Sequence, residues 1–150
     1  MLAACTIDFD PLRCYTALYG GLCLDPEDAL LRRTLPVALR WLETEGVRGT
    51  LFVTGGSVSA ATRVLLKEAI SLGHELGNHT WSHPYNLGAL AAPMVRSEIL
   101  RTHEALAAFG GPPVGFRNPG YMLYPEPLRV IRELGYTYSS SQNPSWSYYS

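Results

Sequence analysis

Gly49-Thr50-Leu51-Phe52-Val53-Thr54-Gly55-Gly56, followed by residues 60–72, Gly73 and then His74-Glu75-Leu76-Gly77-Asn78, is the stretch that decides the fold. Thr50 to Thr54 is rich in β-branched and aromatic side chains and is stopped by the glycine pair, which reads as a strand. The stretch from Ala60 to Leu72 reads as a helix ended by Gly73, and a short second strand spans His74 to Asn78. Strand, helix and strand joined by short loops make a βα unit, whose right-handed crossover lays the two strands parallel.

The same alternation extends in both directions. Upstream, residues 2–9 form an apolar run ending in Asp8-Phe9-Asp10, and Pro11 and Gly20-Gly21 then break regular structure, so a buried strand is expected to enter a loop. Asp25 as N-cap, Pro26 at the first helical position and Glu27 and Asp28 in the first turn announce a helix that Gly46 closes. Leu31, Leu35, Ala38 and Leu42 mark its buried face, and Pro36 should kink it by removing a backbone hydrogen bond. Downstream, a helix is expected from Pro93 to Phe109, a strand at Val114 to Arg117, a helix from Pro125 to Leu134 and a strand at Tyr136 to Ser140. Five strands alternating with helices predict an α/β chain wound around a parallel sheet, with one domain over residues 1–150.

Composition narrows the classes of partner. With 12 basic and 13 acidic residues in 150 and a formal net charge of -1, there is no basic stripe for nucleic acid and no polybasic membrane patch. No apolar run approaches the ~20 residues of a membrane span and no signal-like segment opens the chain, so a cytoplasmic protein is expected. Cys5, Cys14 and Cys23 are odd in number and lack paired spacing, which reads as free thiols.

Three groups of residues can carry chemistry. Alternation along a strand points Asp8 and Asp10 the same way, and two converging carboxylates are favourable only with a cation beside them or one shared proton; a solvated turn is the other reading of the same pattern. His79 and His83 stand four apart, which puts both imidazoles on one side of a helical turn. With one carboxylate they form a three-ligand set that leaves a divalent metal an open position for water; alone, either is a hydrogen-bonded core histidine. Arg117 precedes the turn-forming Asn118-Pro119-Gly120-Tyr121 and is either a surface arginine or a guanidinium that orients a carboxylate. His74 and His103 lack such partners and read as structural.

Taken together, Thr6-Ile7-Asp8-Phe9-Asp10, Gly49 to Gly55, Gly73-His74-Glu75-Leu76-Gly77-Asn78-His79-Thr80-Trp81-Ser82-His83-Pro84 and Phe116-Arg117-Asn118-Pro119-Gly120-Tyr121 resemble the polysaccharide deacetylases, carbohydrate esterase family four. The resemblance implies a distorted (β/α) barrel, of which this chain holds about five βα units, and hydrolytic removal of acetyl groups from an N-acetylated glycan. It implies that Asp8 is the base, that Asp10, His79 and His83 hold a divalent metal (zinc, with cobalt or nickel able to substitute) and that Arg117 orients the base. It also implies an oxyanion or substrate-binding role for Tyr121, through backbone N–H groups around Gly120 and Tyr121.

Two departures from the family pattern carry expectations of their own. Phe9 separates the aspartates that many members have adjacent, a variant associated with peptidoglycan deacetylases and cyclic-amide hydrolases, so hydrolysis of another C–N bond is the alternative reading. The family's later motifs, with the histidine that acts as general acid, have no counterpart before Ser150. A chain lacking them is expected to be an incomplete barrel that turns over poorly, that serves as an inactive metal- or glycan-binding fragment, or that self-associates through an open sheet edge as a homo-oligomer.

Overall fold

The computed structural model describes residues 3–20 and 28–142. Five strands, β1 (Cys5–Phe9), β2 (Gly49–Val53), β3 (Glu75–Asn78), β4 (Gly115–Phe116) and β5 (Tyr138–Ser139), form one sheet in the order β1-β2-β3-β4-β5, every neighbouring pair parallel. Helices α1 (Leu12–Tyr19), α2 (Ala29–Thr44), α3 (Ala60–Ser71), α4 (Ala92–Ala107) and α5 (Pro125–Glu133) fill the connections. Sequential order in an all-parallel sheet is the arrangement of a βα barrel, as the sequence leads one to expect.

The sheet curves strongly. In a flat sheet β1 and β4 would lie three strand spacings apart, ~14 Å, more than one side chain spans. Yet the Arg117 guanidinium, just past β4, donates to Thr6 Oγ1 (2.9 Å) and Asp8 Oδ1 (2.5 Å) on β1. The concave face is filled by few, large groups: Phe52, over whose ring the guanidinium lies at 4.1 Å, and Tyr138, edge-on to Phe52 at 6.5 Å. Gly77 and Gly115 make the room. A Cβ on Gly77 would stand 2.6 Å from the Phe52 ring, and one on Gly115 2.2 Å from the Tyr138 hydroxyl.

The convex face is apolar and covered by helices, the division expected of a parallel sheet with helical crossovers. Phe9, Leu51, Val53 and Leu76 pack there against Leu31, Leu35 and Leu39 of α2 and Leu66 and Ala69 of α3. A second cluster joins Phe116 to Val95 and Ile99 of α4 and Val130 and Ile131 of α5. Among the described residues, no helix is long and apolar enough to cross a membrane.

Local expectations are corrected at two points. The stretch after Asp10 is a helix, α1, and not a loop: Pro11 sits at its N-cap, and Gly20, in the left-handed conformation, ends it. The buried stripe of α2 is Leu31, Leu35, Leu39 and Leu42, with Ala38 only half-buried, because a turn of 3.6 residues brings position 39 onto that face. Pro36 lies within α2, which is one element from Ala29 to Thr44. The expected cap at Asp25-Pro26-Glu27 lies outside the described residues, and Asp28 occupies the N-cap of α2.

Candidate metal centre

All five strands deliver residues to one point at their C-terminal ends, where parallel βα sheets build their sites. Asp8 and Asp10 come from the end of β1, Thr54 follows β2, His79 and His83 follow β3, Arg117 follows β4, and Ser140 follows β5. Phe9, between the aspartates, turns the other way into the core, so alternation alone places both carboxylates on the site side.

Asp10, His79 and His83 converge, with one ligand atom from each lying within 4.8 Å of the others. Asp10 Oδ1 is 3.6 Å from His79 Nε2, and Oδ2 is 3.4 Å from His83 Nε2. All three side chains are almost fully shielded from solvent. Thr54 donates to Oδ1 of Asp10 at 2.8 Å, and Tyr15 donates to Oδ2 at 3.0 Å. His79 Nδ1 is 2.7 Å from the Arg117 carbonyl. That carbonyl can only accept, so it fixes the proton on Nδ1 and leaves Nε2 a bare lone pair aimed at the carboxylate.

A carboxylate oxygen and the bare Nε2 of His79 facing each other repel unless a cation or a proton lies between them. Burial, the largest influence, holds His79 below the ordinary imidazole value and so disfavours the proton. For Asp10 burial pushes upward, but the hydrogen bond with His83, the charges of both histidines and the Thr54 hydroxyl outweigh it, and the carboxyl stays below its ordinary value. One imidazole held neutral by burial, a second beside it and a carboxylate held anionic fit a divalent cation with an open coordination position.

The two histidines meet by a route different from the helical turn suggested by their spacing. Residues 79–84 form a loop in which Thr80 and His83 both take the left-handed conformation (φ 65 and 61), leaving the rings edge-to-face with centroids 4.9 Å apart. Such conformations are strained for residues with a Cβ and persist only where the surroundings hold them. Asn78 Oδ1 accepts from the Thr80 N–H (2.9 Å), while its amide donates to the Ile99 carbonyl and the Tyr136 hydroxyl. Glu98 on α4 accepts from the N–H groups of Trp81 (3.0 Å) and Ser82 (2.8 Å) and from the Ser82 hydroxyl (2.9 Å).

Asp8 sits beside this cluster with its own supports. Besides its bond to Arg117, it accepts at Oδ2 from the Tyr121 hydroxyl (2.7 Å). Burial, with the Asp8 carboxylate as the next cause, pushes that phenol up to about 12, so it stays a donor. Arg117 is itself held by Ser140, through its hydroxyl (2.7 Å) and carbonyl (3.3 Å). The expected free N–H at Tyr121 is not found: that amide donates to the Asn118 carbonyl at 3.1 Å, closing the turn. It is the Tyr121 side chain that reaches the site.

Thr54, Glu98, Tyr15 and Ser140 were not legible in advance. Thr54 ends a strand whose pattern was clear, but nothing local marks Glu98, which acts from the next helix. His74 is structural as expected, its Nδ1 accepting from the Gly49 N–H at 3.0 Å. His103 lies near the Tyr136 hydroxyl, away from the centre.

A family model described as polysaccharide deacetylase matches residues 22–139, beginning after Asp8 and Asp10. A peptidoglycan-N-acetylglucosamine deacetylase of Bacillus cereus is 33% identical over 86 residues, 57% of this chain and 30% of its own length. A chitin deacetylase of Pestalotiopsis sp. is 32% identical over 99 residues, 63% of this chain and 33% of its own. The chain thus spans about a third of the length of the curated relatives it matches. Among solved structures, a family 4 carbohydrate esterase from Streptomyces lividans, in complex with acetate, superposes with TM-score 0.66 at 26% identity, covering 91% of this chain and 59% of that one. A carbohydrate esterase family 4 pseudoenzyme from Bacillus anthracis shares the fold at TM-score 0.69 and 19% identity, covering 91% of this chain and 41% of that one. With its fold and most of its length in agreement, the chain belongs to the polysaccharide deacetylase family.

Proposed function

We propose that this chain carries the metal-binding and base half of a hydrolase that removes acetyl groups from N-acetylated sugars of a polysaccharide or peptidoglycan. The observation that carries the reading is the buried Asp10, His79 and His83 cluster standing beside a carboxylate, Asp8, that is separately held by Arg117 and Tyr121. Asp10, His79 and His83 would hold a divalent cation, zinc being the natural choice for two imidazoles and a carboxylate, with cobalt or nickel as substitutes. Such a cation lowers the pKa of a bound water to roughly 7 and polarises a carbonyl oxygen.

The chain's own residues supply the rest. Asp8 accepts the proton of the attacking water. Arg117 keeps that carboxylate oriented, since its guanidinium bridges Asp8, Thr6 and Ser140 and cannot swing away without breaking several bonds. Tyr121, donating to the other oxygen of Asp8 from the rim, is placed to exchange that bond for one to a substrate oxygen. The His79 tautomer, set by the Arg117 carbonyl, links the base-orienting residue to the ligand set through one backbone group.

The decisive experiment is acetate release from chito-oligosaccharides and from N-acetylated peptidoglycan fragments by the zinc-loaded protein, compared with Asp8→Asn. Acetate release that is lost in the variant supports the proposal. Hydrolysis of a cyclic amide with no acetate released would favour the other C–N bond, and metal binding without either reaction would mark a binding protein.

A further inference from the structure

Tyr15 is five residues beyond Asp10, on α1, and its hydroxyl donates to Oδ2 of that carboxylate at 3.0 Å. Its ring stands 5.9 Å from the His83 ring, tilted by 42°. The other oxygen, Oδ1, accepts from Thr54 at 2.8 Å. The two donors come from different elements, α1 and the end of β2, and bind different oxygens of one carboxylate. Each ionised oxygen has about two lone-pair directions. One on each is used by a hydroxyl, which leaves the others facing Nε2 of His79 at 3.6 Å and Nε2 of His83 at 3.4 Å.

A carboxylate held at one oxygen turns about its Cβ–Cγ bond, whereas one held at both has its plane fixed. We propose that Tyr15 is a positioning residue for a divalent cation: its hydroxyl, paired with that of Thr54, fixes the plane of Asp10 so that the carboxylate faces the two histidines in a ready coordination geometry. The inference rests on the reading of Asp10, His79 and His83 as the cation's ligands. Partners of this kind, acting through a ligand, contribute about 10- to 100-fold in metal affinity. A plain packing role is the competing account, because the same ring stands against His83.

Cobalt(II) titration of the metal-free chain, followed by its visible absorption and calibrated against a competing chelator, separates the possibilities. Tyr15→Phe keeps the ring and removes the hydroxyl, and it is expected to weaken cobalt binding about 10- to 100-fold while lowering the thermal midpoint of the metal-free chain by no more than the loss of one hydrogen bond at the exposed rim of the site. Tyr15→Leu, which removes the ring as well, is expected to bind no more weakly than Tyr15→Phe. Tyr19→Phe, on the same helix but 80% exposed, is expected to bind as the parent does. Should Tyr15→Phe bind cobalt as tightly as the parent while Asp10→Asn has lost it, the positioning role is refuted and the ligand set stands. An affinity kept in Tyr15→Phe and lost in Tyr15→Leu would assign the effect to packing and also refute it. A parent chain that fails to bind cobalt overturns the ligand set itself, and the role of Tyr15 with it.

Discussion

Replacing Glu98 by alanine should loosen the histidine loop although Glu98 contacts neither histidine. Its carboxylate accepts three hydrogen bonds, from the Trp81 N–H, the Ser82 N–H and the Ser82 hydroxyl. A hydrogen bond to a charged group contributes about 1.5–3 kcal/mol. The two Ser82 bonds are solvent-exposed, so water takes much of their place, while the Trp81 N–H is partly buried and would be left poorly satisfied. The balance is a destabilisation of about 2–3 kcal/mol, or a fall in thermal midpoint of about 5–10 °C for a chain of this size. The loop keeps the bonds that the Gly55 and Gly56 N–H groups donate to the Thr80 and Trp81 carbonyls (2.9 Å each) and the Arg101 guanidinium over the Trp81 ring (4.0 Å). The left-handed Thr80 and His83 should therefore relax only in part, and cobalt(II) affinity should fall with stability. Glu98→Gln is the informative partner. Both amides donate to Oε2 and the hydroxyl bonds Oε1, so a glutamine with its oxygen at the first position and its NH2 at the second keeps all three bonds and loses only the charge, at about 1 kcal/mol. Calorimetry and cobalt titration on both variants provide the assay. An alanine variant with unchanged midpoint and unchanged affinity would refute the argument that the loop is held from α4.

Three further outcomes are expected. Gly77→Ala should destabilise by about 1–3 kcal/mol through overpacking against Phe52, read as a lower urea midpoint; an unchanged midpoint would mean the concave face has slack that the 2.6 Å approach denies. Asp10→Asn should lose bound metal while Asp8→Asn keeps it and loses turnover, and elemental analysis showing the reverse would exchange their roles. Burial holds His74, His79 and His103 below their ordinary value of 6.5, so below that pH the unfolded chain binds more protons than the folded one. Stability of the metal-free chain should therefore be full above about pH 6.5 and fall as pH drops from there towards 5. A thermal midpoint that is flat or rises on acidification would contradict this, and His79→Gln should reduce the slope.

Much of this architecture was legible in the residues themselves. Strand and helix differ in period, so β-branched runs such as Thr50 to Thr54 and the amphipathic stretch from Ala60 declare themselves locally, and their alternation leaves little choice but a parallel sheet. The family resemblance selected Asp8, Asp10, His79, His83 and Arg117, and the fold brings all five to one end of that sheet. What depends on neighbours distant in sequence was not readable. The helical reading of the His79 and His83 spacing failed because Glu98 and Asn78 hold a left-handed loop there, and a local rule contains no term for an anchor 16 or 17 residues away. The α1 helix was missed because Pro11 and Gly20 act as its caps as readily as they break a chain, and with it went Tyr15. The curvature that swings Arg117 onto Asp8, 109 residues earlier, is likewise a property of the assembled sheet. The sequence by itself determined which residues are chemically able to form the centre, because that is a matter of side-chain type and order along the chain. Only the tertiary structure decided which atoms face one another and what holds them there, because hydrogen bonds across a curved sheet exist only once every strand is in place.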